Sequence, residues 1–227
     1  MKYLREFATQ ADYEAVVAAG LAKPNVSLIN EPFGVEYHAK KTLLGVFIQH
    51  IDGTLYTTAD WTSAGFVKND ANGVAVITEA AEFVVSRWAN SKLRWASNTS
   101  SLVEGILTSE DAEVAKTDLN GKRNTELMLA IDTAGAGYAC TNDPLFPNGQ
   151  KGYLPSLGEW EVFRANMAEI NAALVIAGNK VYEDEVIWTS TQASNNMAWY
   201  VRLDTAEPKT DTKSNFRASR AFAPLNL

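Results

Sequence analysis

Apolar positions follow two rhythms along this chain. Between residues 156 and 178, Trp160, Phe163, Met167, Ile170 and Leu174 recur at steps of three and four, which places them on one face of a helix. Ser156 and Glu159 have capping-box spacing at its start, and Gly178 is placed to end it. After it the rhythm changes to two. In the run 199–203, alternation puts Trp199, Val201 and Leu203 on one side of a strand and Tyr200 and Arg202 on the other. The runs 186–190, with Trp188 inward, and 215–223 read as further strands. The charged stretch 204–214 between them reads as a loop.

Upstream, residues 9–12 (TQAD) fit a capping box for a short helix that stops near Gly20. Residues 25–29 and 35–38 read as two arms of a hairpin around the turn 31–34. That unit is either an attachment module or a piece packed on the rest. Strands are expected at 43–50, 55–57, 73–78, 82–86 and 93–96, separated by Gly, Asn and Asp. Residues 97–137 are less regular, with loop signals at 98–101 and 120–124 and a helix within 125–131. The glycines of 134–137 lack the preceding strand and spacing of a phosphate-binding fingerprint. Residues 142–149 read as a solvent-facing loop.

Composition narrows the chemistry. The chain of 227 residues is 46% apolar with six tryptophans, enough for a sizeable core. Its formal charge of -7 and the lack of a Lys/Arg cluster argue against general nucleic-acid binding. Cys140 is the single cysteine, which excludes an intramolecular disulfide and reads as a small buried hydrophobe. With His38 and His50 the only histidines, a polyhistidine zinc site is not expected, and no metal or cofactor is assigned. The first residues lack the apolar stretch of a signal peptide, so synthesis and folding in a reducing compartment are expected. No run is long enough to insert in a membrane.

The order of 153–160 (YLPSLGEW), Asn171, 188–191 (WTST), Ala198 with Trp199, and 220–222 (RAF) resembles the C-type-lectin fold of bacterial and phage proteins. It is especially similar to the variable proteins diversified by retroelements, and to related adhesin domains. Upstream, 73–78 (GVAVIT), 95–99 (WASNT) and 115–118 (AKTD) resemble prophage proteins of gut Bacteroides-type bacteria. The firmer likeness covers residues 138–225. It implies an α+β fold with three parts. A small helix-hairpin or attachment region spans 1–40. A β-rich region over 41–137 is either separate from the C-terminal domain or integral to it. A C-type-lectin-like domain spans 138–227. In such a family the tryptophans, here Trp188 and Trp199, hold the scaffold. Carried over by position, Ser194, Asn195, Asn196, Tyr200, Arg202, Lys213, Asn215 and Arg217 face the ligand. Tyrosine offers rigid amphipathic area, Asn and Ser adaptable hydrogen bonds, and Arg and Lys select carboxylate or sulfate.

The resemblance departs from calcium-dependent lectins, since the Glu-Pro-Asn and Trp-Asn-Asp sugar motifs are missing and the adjacent acids Glu183, Asp184 and Glu185 do not form a coordination cage. Formylglycine-generating chemistry, found on a relative of this fold, uses a pair of cysteines, which the single Cys140 cannot supply. The leading expectation is a phage or prophage structural or receptor-binding protein, part of a tail fibre or virion. Its partners would be a host cell-surface protein or glycan and other virion or fibre proteins, and it would form a homotrimer for avidity. The resemblance alone carries the trimer, because no heptad is present. The alternative is a host-encoded adhesin or carbohydrate-binding module at the cell surface. A hydrolase would need paired carboxylates, and nothing fixes the separation of Glu159, Asp184 and Glu185. Binding rather than catalysis is therefore expected.

Overall fold

The computed structural model describes residues 22–23, 26–31, 34–39, 42–178, 186–203, 205 and 207–225. The helix expected after Thr9, the turn residues Pro32 and Phe33, and the acids 183–185 lie outside the described residues.

The architecture is α+β and rich in strand. β1 (Ala22–Lys23) pairs with β4 (Thr42–Leu43), and β2 (Val26–Glu31) pairs with β3 (Gly34–Ala39) as the expected antiparallel hairpin. The main sheet contains β5 (Gly45–His50), β6 (Leu55–Tyr56), β7 (Ala71–Ile77), β8 (Glu82–Leu93), β9 (Val186–Gln192), β10 (Met197–Arg202), β11 (Lys209–Thr212) and β12 (Arg217–Ala223). Their order across the sheet is β11-β10-β9-β12-β8-β7-β5-β6. The pairings are antiparallel except β12 with β9, which is parallel. β12 is thus inserted between β9 and β8, and strands from both sides of residue 137 belong to one sheet.

Helices and loops cover both faces, and alternation along each strand divides the core in two. On one face, Val74, Val76, Phe83, Val85, Phe222, Trp199 and Val201 meet Trp160, Phe163, Ile170 and Leu174 of α5 (Leu157–Ala165) and α6 (Met167–Ala177). On the other, Ala75, Ile77, Val84, Trp188, Ala221 and Ala223 meet Trp95, Val103 and Ile106, together with Met128 of α3 (Gly121–Ile131) and Cys140 of α4 (Ala136–Asn142). Every residue of β7 is buried because it is central and covered on both sides. Two short helices, α1 (Thr58–Ser63) and α2 (Ala112–Ala115), cap the connections.

Five sequence expectations are corrected. The 156–178 helix is two helices that meet at Asn166, whose Nδ2 donates to Val162 O at 2.8 Å in competition with the helical ladder. The stripe survives because α5 and α6 both pack on the same sheet face; Gly178 does end α6, at φ 114°. The two strands expected at 82–86 and 93–96 are the single strand β8 and a buried loop after it; pairing with β12, through bulges, carries the strand across the polar residues 90–92. The loop 204–214 contains β11, a polar edge strand held by its ladder to β10. Residues 121–124, expected as loop, open α3. There Gly121 answers to packing: a Cβ would lie 2.1 Å from Glu159 Oε2. Finally, the solvent-facing loop 142–149 buries Leu145 and Phe146.

Among the described residues, no helix is long and apolar enough to cross a membrane and no group of three His, Cys, Asp or Glu could hold a metal ion. Cys140 is fully buried, and burial pushes its thiol up to about 12, so it stays protonated.

Candidate functional site

The sheet edge made by β10 and β11 reaches the surface where β12 begins. Alternation sends Trp199 and Val201 into the core beneath α5 and turns Tyr200 to the opposite face, beside Trp188. Tyr200 is the register partner of Trp188, and their rings meet edge to face at 6.3 Å. The Arg217 guanidinium lies 4.2 Å from the Tyr200 ring centroid and forms an ion pair with Asp211 of β11. Asp211 Oδ1 also accepts from Asn215 Nδ2 at 2.7 Å and from its neighbour's backbone, Thr212 N–H, at 2.8 Å. One step along the chain, Phe216 stands 58% exposed, with the exposed Arg94 guanidinium 5.2 Å from its ring centroid.

The result is a platform of two aromatic rings, two guanidiniums and a tethered amide, with Arg202 two residues along β10 on the Tyr200 side and Lys209 as the register partner of Tyr200. Arg94, Lys209 and Arg217 stand around Asp211, which places cationic side chains together on a chain with a formal charge of -7. Stacking fixes the Arg217 and Tyr200 side chains before any partner arrives, which lowers the ordering cost of binding. The platform offers flat apolar contact and guanidinium donors suited to carboxylate or sulfate.

The eight residues expected at a ligand face separate into groups. Tyr200, Asn215 and Arg217 converge through Asp211. Ser194, Asn195 and Asn196 form the turn between β9 and β10, where Ser194 Oγ donates to Asn196 Oδ1 at 3.3 Å and both asparagines are exposed. Arg202 is half-buried at the far end of β10. Lys213 is a correction: it is 0% exposed and cannot face a ligand. Its Nζ donates to Ser101 O, Gln192 Oε1 and Asn195 O at 3.0, 2.8 and 3.0 Å and lies 4.6 Å from the Trp95 ring centroid. Burial lowers its ammonium to about 8. Lys213 instead braces the 194–196 turn against the loop after β8. Asp211, Phe216 and Arg94 escaped the sequence reading. For Phe216 a signal existed, a large aromatic flanked by Asn215 and Arg217; Asp211 and Arg94 join only through β-pairing and folding.

Beside the platform edge lies a cleft of about 570 Å³ lined by Glu110, Met197, Trp199, Pro208 and Lys209 among others. Trp199 closes its floor and donates Nε1–H to Ser109 O at 2.8 Å.

Glu159, a candidate for acid/base chemistry, is enclosed at the start of α5. Its Oε2 accepts from Ser156 N and Oγ at 2.8 and 3.0 Å, and its Oε1 accepts from Tyr153 OH at 2.9 Å. Burial pushes the carboxyl up to about 7 against these hydrogen bonds. The folded state therefore holds a proton that the unfolded chain releases at its ordinary value of 4.5. This contribution is full below pH 4.5 and lost as pH rises through 7. Ionising it in place costs about 3 kcal/mol. We expect Glu159→Gln to flatten this part of the dependence of Tm on pH, as measured by calorimetry from pH 4 to 8. A Gln variant with the wild-type profile would show that another group sets it. The other acids of the hydrolase reading, Asp184 and Glu185, lie outside the described residues.

No protein-family profile matches the chain, and no curated protein does. A solved structure of a fimbrial protein from Bacteroides ovatus is similar in fold, with a TM-score of 0.60 at 14% identity. The similarity covers 88% of this chain and 57% of the fimbrial protein, so this chain spans a little over half of that protein's length.

Proposed function

We propose that this chain is an adhesin-like recognition module displayed at a cell surface, and that its ligand carries anionic groups that dock on the Tyr200, Arg217, Phe216 and Arg94 platform. The observation that carries the reading is Phe216, which exposes an aromatic ring beside a guanidinium instead of packing inward. Fixed aromatic and arginine side chains are the residues that dominate binding surfaces. The fold similarity to a fimbrial protein favours this reading over the tail-fibre or virion one. The C-type-lectin-like identity of residues 138–227 is part of the same proposal, as is a binding rather than catalytic role. Several copies on one fibre would convert weak individual contacts into firm attachment.

The test is adhesion of the purified protein to bacterial and epithelial cell surfaces, read by flow cytometry at two salt concentrations. Tyr200→Ala/Arg217→Ala is expected to weaken binding by at least about tenfold while leaving the buried scaffold folded. High salt is expected to weaken the wild type, because the proposed contacts are partly exposed charges. Undiminished binding by the double variant would place the contact elsewhere.

A further inference from the structure

The opposite end of β12 carries a second polar site. β12 runs seven residues from Arg217 to Ala223, which puts the two ends roughly 20 Å apart. There Pro224, the loop 148–151, the start of α3 and the end of β5 surround a cleft of about 620 Å³. Nothing in the platform reading uses it.

The amides behind this cleft have a determined orientation. The backbone N–H of Asn148 can only donate, and it points at Asn72 Oδ1 at 3.1 Å. Asn72 Nδ2 must then face the other way, and it donates to Gln49 Oε1 at 2.7 Å. With its oxygen occupied, Gln49 turns its amide N–H groups away from Asn72. Gln49 is 2% exposed and lines the cleft, and among the described residues its Nε2 donates to no acceptor. That leaves Nε2 as a donor open to a ligand oxygen in the cleft. Gln150 is fixed in the same manner: its Nε2 donates to Pro224 O, so Oε1 is its acceptor, which takes Asn72 Nδ2 at a long 3.5 Å and keeps a second lone pair.

Charged groups stand around this amide pair. Lys122, at the start of α3, and Lys151 line the cleft and are exposed, and Asp52 is on the facing turn. The Thr54 backbone N–H holds the Asp52 carboxyl below its usual range, so it is an acceptor throughout neutral pH. Two ammoniums match a carboxylate. One amide donor, one amide acceptor and a carboxylate match hydroxyl groups, which both give and accept hydrogen bonds.

We propose that this cleft binds an acidic sugar residue, a uronic-acid type of ligand, with its carboxylate between Lys122 and Lys151 and its hydroxyls on Gln49, Gln150 and Asp52. The site is distinct from the β10–β12 platform and does not depend on the platform reading.

The test is titration of the whole chain with sodium D-glucuronate, D-glucose and sodium acetate, followed by calorimetry and by backbone amide shifts. Glucuronate is expected to saturate, shifting the amides of Gln49, Asn148 and Gln150. Glucose and acetate, each lacking half of the recognised chemistry, are expected to bind at least about tenfold more weakly. Lys122→Ala/Lys151→Ala, both exposed positions, is expected to lose glucuronate binding with unchanged Tm. Gln49→Glu, which exchanges the free donor for an acceptor, is expected to lose it as well. Tyr200→Ala/Arg217→Ala is expected to retain it. The proposal is overturned if the folded wild type does not saturate, if acetate alone binds as well, if the lysine variant binds normally, or if only the platform variant loses binding.

Discussion

Phe222→Ala is expected to destabilise the protein by about 4 kcal/mol, as read from urea unfolding at constant m-value. Phe222 is fully buried on the central strand β12 and stacks on Phe83 at 4.3 Å, with Trp160 at 5.1 Å, Phe163 at 6.1 Å and Tyr153 at 6.5 Å. Removing the ring takes aromatic contacts from β8, α5 and the 153 segment at once. The cavity cannot collapse easily, because the neighbouring backbone is pinned: Tyr153 N–H donates to Phe222 O at 2.7 Å, and Phe222 N–H to Tyr153 O at 3.0 Å. Phe222→Leu keeps much of the volume and is expected to cost about half as much. A loss under about 1 kcal/mol for the alanine variant would mean that this aromatic cluster is not the centre of the fold.

Asp118→Ala is expected to cost about 3 kcal/mol for a different reason, the stranding of buried donors. Asp118 Oδ2 accepts from Asn124 Nδ2 and Thr191 Oγ1, both at 2.8 Å, and Oδ1 accepts from Asn120 N–H at 3.0 Å. Thr191 Oγ1 in turn accepts the Leu157 N–H at 2.9 Å, and the Asp118 carbonyl accepts the Gly158 N–H at 2.9 Å. One side chain thus ties α3, β9 and the first turn of α5, and no apolar replacement satisfies its donors. Hydrogen exchange at the Asn120 and Leu157 amides should accelerate in the variant ahead of global unfolding. Exchange unchanged at both amides would show that the carboxylate is not the link. Gly158 is required beside it, since a Cβ there would meet the Asp118 and Lys116 carbonyl oxygens at 2.4 and 2.5 Å.

The parts of the fold legible in sequence are those governed by local rules. The hairpin β2–β3, the strands β5, β7, β9 and β10, the Ser156 and Glu159 cap and the Gly178 stop each follow from periodicity or capping chemistry. β11 was illegible because its Lys, Thr and Asp residues carry no apolar signal; only pairing with β10 makes it a strand. The break at Asn166 was hidden because an apolar stripe continues across it. Of the ligand-face candidates, Tyr200 was legible because alternation turns it away from Trp199, whereas Lys213 looked like any charged loop residue until three carbonyl oxygens and an indole enclosed it.

Residue types and near neighbours alone establish that this chain has enough apolar residues for a large core, an α+β pattern of periodicities and a single cysteine. Those properties need no knowledge of contacts beyond a few positions. Long-range pairing instead sets β12 between β9 and β8, which brings Arg217 to Tyr200 and Phe216 to Arg94 at one end and Pro224 to Gln150 at the other. Those residues lie far apart in the chain or on strands whose register depends on distant partners, and short-range propensity holds no information about which edge a strand will join.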